Sequence, residues 1–425
     1  MKAGRGLKHG GVSMISQSER LERYADLAIR VGIHLQPNQV LVIHAPVEAY
    51  AFVRKVVEVA YQVGAATVHV MWQDDHVQRT RLLSEPEAQL KEYPQWKAQP
   101  YIELAETGAA FLTVIAPDPK LMDGVPVERS ILAVRAAQQA LHPYREAIQS
   151  AKVNWSIIAL PTEAWAAEVY PDDPPDQRLE HLWDTVARVI RLDTPDPVQA
   201  WQDHVDGLGR RVAALNAARF QQLHYTAPGT DLTIGLPEDH VWVGGGTSTQ
   251  NGVFFVPNLP TEECFTAPQY TRVEGVVRST RPLLHAGQRI EDFELHFSEG
   301  RIVEYKARVG EDVLASIIET DEGSHYLGEV ALVPNSSPVS QAGVLFHHTL
   351  FDENASCHLA IGSAYPLNLK DGVRMNRDEL KRRGLNTSLM HVDFMIGSAE
   401  LNINGLDASG RWVPVLRHGE WASKV

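Results

Sequence analysis

The chain has only two cysteines in 425 residues, Cys264 and Cys357. One disulfide is arithmetically available, but so few cysteines in a chain of this size read as free thiols of an intracellular protein. No apolar run reaches the roughly 18 residues needed to span a bilayer, so no membrane role is expected. Positive charge is also in deficit, with 39 Lys and Arg against 53 Asp and Glu and a formal net charge of −14. That balance argues against a nucleic-acid partner, which would favour a basic face. The N-terminus, MKAGRGLKHGGVSMISQ, carries Lys2, Arg5 and Lys8 with no apolar stretch after them, which makes it a poor secretory signal. The cytoplasm is the expected compartment, with Met14 a plausible start and residues 1–13 a disordered extension. Internal repeats and low-complexity tracts are missing as well. What remains is an ordinary globular composition, 44% hydrophobic and 22% charged. The chain is long enough for two domains to be the default.

The first half alternates helical and strand patterns. Leu21, Tyr24, Ala25, Ala28 and Ile29 fall on one helical face behind a capping Ser18. VLVIH (40–44) and VHVMW (68–72) read as strands around an amphipathic helix at 49–63, a βαβ unit that points to a parallel sheet. FLTVIA (111–116) and WSIIAL (155–160) continue the strands. Helices are expected at 100–108, 129–141, 164–169, 179–191 and 196–218, with Pro197 in the first turn of the last. Residues 14–222 are thus expected to form an α/β domain with a mainly parallel sheet. The loop after its first strand, APVEAYAF, has none of the glycines that let a phosphate approach the backbone, and no GxxxxGK[ST] occurs. This half reads as scaffold and dimer surface rather than a cofactor site.

The texture changes after Leu223. Short β-like runs follow one another: LTIGL (232–236), HVWVG (240–244), GVFFV (252–256), RVEGVV (272–277), FELHF (293–297), RIVEYKA (301–307), EVALV (329–333) and HVDFMIG (391–397). SEG at 298–300 is a hairpin signal, with Gly300 free to take positive φ. A helix is expected from about 310 to 320. Residues 223–425 are expected to form a largely β, α+β catalytic domain.

Candidate chemistry lies in this half. In FDENASCHLAIGSAY (351–365), Glu353 and His358 sit in a turn-prone segment that ends in Tyr365. Carboxylate, imidazole and phenol together can bind a metal and handle a proton. In HVD, alternation puts His391 and Asp393 on one face of a strand and turns Val392 and Phe394 into a core. PTEECF (260–265) sets two acids beside apolar residues, where an ionised carboxylate is costly unless paired or coordinated. Extended backbone sends Glu262 and Glu263 to opposite sides, and periodicity does not choose between them. Glu329 opens an otherwise apolar strand, which fits an exposed first residue as well as a site carboxylate. Each feature alone has an ordinary structural explanation. Their coexistence points to a metal site.

The segments NLPTEECFTAP, YLGEVALV, LFDENASCHLAIGSAY and HVDFMIGS, in that order, resemble those of the M29 family of thermophilic metallo-aminopeptidases, the aminopeptidase T and aminopeptidase S group. The resemblance extends over nearly the whole chain from about Met14. It implies a homodimer and two divalent metal ions per chain, zinc or cobalt first, with manganese or magnesium as alternatives. Residue by residue it implies Glu263, Glu329, Glu353, His358, His391 and Asp393 as ligands. The implied activity is release of N-terminal amino acids from peptides with a free N-terminus, by a metal-activated water. Glu329 or Glu353 is expected to act as the base, with Glu329 favoured, and Tyr365 to donate a hydrogen bond to the tetrahedral oxyanion. Cys264 and Cys357 are expected to be buried side chains facing away from the ligands. Alternatives are a dimetal hydrolase acting on another amide or ester bond, and a non-catalytic binding protein on the same scaffold.

Overall fold

The structure, a computed structural model, describes residues 16–423 apart from 286 and 287. The extension expected at 1–13 lies outside the described residues. Four parallel strands form the first sheet: β1 (Val40–Pro46), β2 (Thr67–Gln73), β3 (Ala110–Ile115) and β4 (Trp155–Ala159), in spatial order β4-β3-β1-β2. Parallel neighbours need crossovers, and helices supply them. The helix α1 (Gln17–Leu27) is capped by Ser16 rather than Ser18, through the amide of Glu19. The helix α2 (Tyr50–Gln62) buries Phe52, Val53, Val56, Val59 and Ala60, the face its periodicity marked. The helices α3 (Pro175–Val189) and α4 (Pro197–Ala218) follow, with Asp196 capping α4 ahead of Pro197. Two further helices, Asp75–Ser84 and His142–Gln149, lie outside the expected ones, and each buries a single residue, Leu82 and Ala147.

Residues far along the chain complete this first layer. The strand β5 (Asn258–Leu259) adds to β4 in parallel. Val339, Phe346, Leu350, Phe351 and Ala355 enter the same hydrophobic core as β1 and α2. There Trp165 meets Phe351 at 5.3 Å between ring centroids, and Phe351 stacks on Phe346 at 4.9 Å. Such aromatic pairs contribute about 0.5–1.5 kcal/mol each beyond area burial. They anchor the segment that carries Glu353 to the first sheet.

The second half is antiparallel. Nine strands between Gln222 and Trp421 form one sheet. Its hairpin at Glu299–Gly300 is the one expected, with Gly300 at φ 84°. A smaller sheet carries β6 (Cys264–Thr266), β7 (Leu327–Leu332), β8 (His358–Gly362) and β9 (His391–Met395) in the order β9-β8-β7-β6, with Val243–Gly244 beyond β6. Alternation along these strands separates two faces. Cys264, Val330, Leu332, Leu359, Ile361, Val392 and Phe394 fill the second hydrophobic core. The other face carries Glu263, Glu329, His358, His391 and Asp393.

One residue breaks the alternation. The register of β7 against β8 shifts between Leu327 and Glu329. Leu327 pairs with Ile361 and both lie in the core, whereas Glu329 pairs with Ala360, which in turn pairs with Asp393. Without this bulge at Gly328, Leu327 and Glu329 would share a face. The bulge re-aims Glu329 onto the polar face.

Candidate metal centre

Strand β7 contributes the central group. Glu329 is 5% exposed and lies third in its strand, not at an exposed strand start. Its Oε1 is 3.5 Å from His358 Nε2, and its Oε2 is 3.7 Å from His391 Nε2. His358 Nε2 also lies 3.1 Å from Glu263 Oε2, and His391 Nε2 lies 3.5 Å from Asp393 Oδ1. Two groups of metal-capable atoms result, Glu263–Glu329–His358 and Glu329–His391–Asp393, with Glu329 common to both.

Both imidazoles are oriented from behind. His358 Nδ1 faces the Ser356 carbonyl at 3.1 Å, and His391 Nδ1 faces the Ser363 carbonyl at 2.7 Å. Donation from Nδ1 to a carbonyl directs Nε2 toward the carboxylates, an arrangement typical of metal-ligating histidines.

Burial and mutual repulsion dominate the electrostatics. Glu329 is pushed up to about 7 by burial and by Asp393 and Glu263, against the opposing effect of His358. Glu353 is raised well above the usual carboxylate range by burial, then by Glu263 and Asp393. Burial alone would lower both histidines. The carboxylates outweigh it, raising His391 to about 10 and His358 well above its ordinary value. Glu263 Oε2 and Asp393 Oδ1 are buried without a hydrogen-bond donor. Among the described residues no Lys or Arg pairs with these acids, only the two histidines. Four carboxylates balance the charge of two divalent cations, and orphaned oxygens are what a cation would satisfy. The donor set is all oxygen and nitrogen, suited to zinc, cobalt or manganese and not to copper(I) or iron–sulfur chemistry.

Five of the six expected ligands thus meet in the two groups. Glu353 stands at their edge, in a 3-10 turn at Glu353–Ala355, and with Asp393 lines an adjoining cavity of about 220 Å³. Tyr365 is 42% exposed, with its ring 4.9 Å from that of His391 and 6.3 Å from that of Phe265. Desolvation and the four surrounding acids push its hydroxyl up, so it stays protonated and able to donate.

The choice within PTEE is made by a residue far away in sequence. Arg191 closes both nitrogens on Glu262, at 2.7 and 3.1 Å, so Glu262 turns from the site and Glu263 into it. Arg191 also donates to His204 Nδ1 at 3.1 Å, while His204 Nε2 donates to the Thr261 carbonyl at 2.8 Å. Burial holds His204 below its ordinary value, consistent with a neutral ring. Asn354, fully buried, accepts from the Glu262 amide at 2.8 Å and ties this loop to the Glu353 segment. Nothing in local sequence pattern marks Arg191, His204 or Gly328. Asn354 lay inside the turn-prone DENA stretch. Both cysteines are buried in the second core. Cys357 Sγ donates to the Val333 carbonyl at 3.2 Å, and Cys264 Sγ is 3.9 Å from the Leu208 carbonyl.

Residues 17–421 match the family model described as thermophilic metalloprotease (M29). Aminopeptidase AmpS of Bacillus subtilis is 48% identical over 409 residues, covering 96% of this chain and 100% of the relative. Aminopeptidase T of Thermus aquaticus is 45% identical over 404 residues, covering 95% and 98%. The solved structure of wild-type AmpT from Thermus thermophilus superposes with a TM-score of 0.90 at 42% identity, covering 96% of this chain and 100% of that one.

Proposed function

The chain belongs to the thermophilic metalloprotease (M29) family, and from that premise we propose that it is a metal-dependent aminopeptidase, a hydrolytic exopeptidase that releases N-terminal amino acids from peptides. The observation that carries the reading is Glu329, whose two oxygens face two histidines in two separate ligand groups. In this reading Glu263 and His358 would hold one divalent ion and His391 and Asp393 a second, with Glu329 common to both groups. Glu353 completes the set from the edge. A donor set of oxygen and nitrogen suits zinc or cobalt.

Bound metal supplies Lewis acidity, which polarises a carbonyl and makes water acidic near neutral pH. The chain's own residues supply the rest. Ser356 and Ser363 carbonyls fix the imidazoles, and Arg191 and Asn354 set the loop that presents Glu263. Glu329 and Glu353 are the two candidates for the base, and Glu353, at the edge of the two groups, is the one not held between them. Tyr365 donates its hydroxyl to the oxyanion as charge develops there.

Hydrolysis of aminoacyl-nitroanilides, free and N-acetylated, tests the activity. The aminopeptidase hydrolyses only the free-amine substrates. Equal rates on the acetylated series would replace it with a general amidase, and turnover of phosphoesters alone with a phosphoesterase. We further read the protein as a cytoplasmic homodimer. No helix among the described residues is long and apolar enough to cross a membrane. The helix Val127–Ala140 exposes Val127, Ile131 and Val134 at helical spacing, an apolar stripe that a second copy would cover. Sedimentation analysis checks the stoichiometry.

A further inference from the structure

We infer that the cavity beside Glu353 and Asp393 is the subsite for the substrate's N-terminal side chain, and that it selects a medium-sized apolar one. The inference rests on the aminopeptidase reading and adds a specificity to it. The cavity holds about 220 Å³, below the ~300–1,000 Å³ of pockets that take drug-sized ligands. That is room for one residue, not for the length of a peptide. Pro282, Leu283, Leu284, Leu345 and Met395 build its apolar side, and Thr349 stands with the histidines and acids on the other.

Polarity around the cavity favours the same occupant. His347 and His348 line it, and burial lowers both toward the neutral form. Asp352 reaches it too, but its two oxygens are already engaged by the Phe346 amide at 2.7 Å and the His348 amide at 3.0 Å. A lysine or arginine side chain entering here would have to share Asp352, already engaged, or take a carboxylate from the metal centre. Burying a cation without a partner is costly.

Strand β9 gives the direction. His391, Asp393 and Met395 alternate along one face, with the cavity beside Asp393 and Met395 and Tyr365 over His391 at the other end. At about 3.4 Å per residue, His391 and Met395 are ~13 Å apart along the strand. The end at the cavity takes the single residue before the scissile bond. The end with the exposed Tyr365 ring is where the remaining peptide leaves.

The test compares the wild type with Leu345→Trp and Leu284→Trp, two half-buried wall positions from different segments of the chain. Each is assayed on nitroanilides of Gly, Ala, Leu, Phe and Lys, and on dipeptides in which only the second residue varies. A methylene in an apolar pocket is worth about 10–200-fold, so wild-type kcat/KM rises at least about tenfold from Gly to Leu and falls for Lys. Filling the cavity lowers the Leu and Phe substrates by about tenfold or more and leaves Ala within about twofold. A flat wild-type profile, an equal loss on every substrate in both variants, or a change that follows the second residue overturns the subsite. Absence of wild-type activity on every free-amine substrate instead overturns the aminopeptidase reading beneath it.

Discussion

Arg191 and Glu262 form a two-armed ion pair, at 2.7 and 3.1 Å, in which the arginine is 15% and the glutamate 4% exposed. The pair joins the end of α3 to the loop ahead of β6, and it decides which of two adjacent acids enters the site. Removing one partner leaves a buried charge uncompensated, at about 3–5 kcal/mol. Arg191→Ala is therefore expected to lose about that much stability in urea denaturation, and Glu262→Gln in its background to recover part of it. A loss under about 1 kcal/mol, the range of a surface pair, would contradict the role.

Gly328 is the second positioning element. A Cβ there would lie 2.4 Å from the carbonyls of Gly362 and Ser363, and Ser363 is the residue that orients His391. The constraint is space in the bulge rather than a left-handed backbone. Gly328→Ala is expected to push β7 from β8 at about 1–3 kcal/mol, and to lower metal affinity with it. Wild-type metal affinity in a variant of unchanged melting temperature would sink the idea.

How much of this was legible in sequence depends on how local the cause was. HVD was readable because strand alternation is local: Val392 and Phe394 lie in the core, and His391 and Asp393 on the opposite face. The parallel sheet and the helix Pro197–Ala218 were readable for the same reason, from long periodic stretches. PTEE was not, since the choice belongs to Arg191, 71 residues from Glu262. Strand β8 is hidden in sequence, because DENAS is turn-like and HLAIG is buried throughout, without alternation. β5, at two residues, is too short to carry a pattern, and the bulge at Gly328 exists only against β8.

Tyr365→Phe removes one hydroxyl and nothing that orients a ligand. Metal content and KM are expected to hold, while kcat falls by about 10²–10³, the usual cost of losing one oxyanion donor. Steady-state kinetics alongside elemental analysis separates the two quantities. Unchanged turnover would remove Tyr365 from the mechanism.

Metal binding should release protons. In the metal-free protein, Asp393 and Glu329 outweigh burial to hold His391 up at about 10, and Glu329 itself sits at about 7. Both are raised, so both keep their protons to higher pH than usual, whereas a bound cation needs neutral imidazole and ionised carboxylate. Apparent affinity is thus expected to climb with pH between about 7 and 10, by about tenfold per pH unit for each proton displaced. Calorimetry in buffers of different ionisation enthalpy counts those protons. An affinity independent of pH over this window would show that the site is not protonated as described.

Glu329 is proposed to be shared between two divalent ions. Elemental analysis of the purified chain, paired with leucyl-nitroanilide hydrolysis through chelation and re-addition of zinc or cobalt, tests it most directly. Two divalent ions per chain, loss of activity with the metal, and recovery as two equivalents return are the expected results. Full activity in metal-free protein, or saturation at one ion per chain, would contradict that sharing.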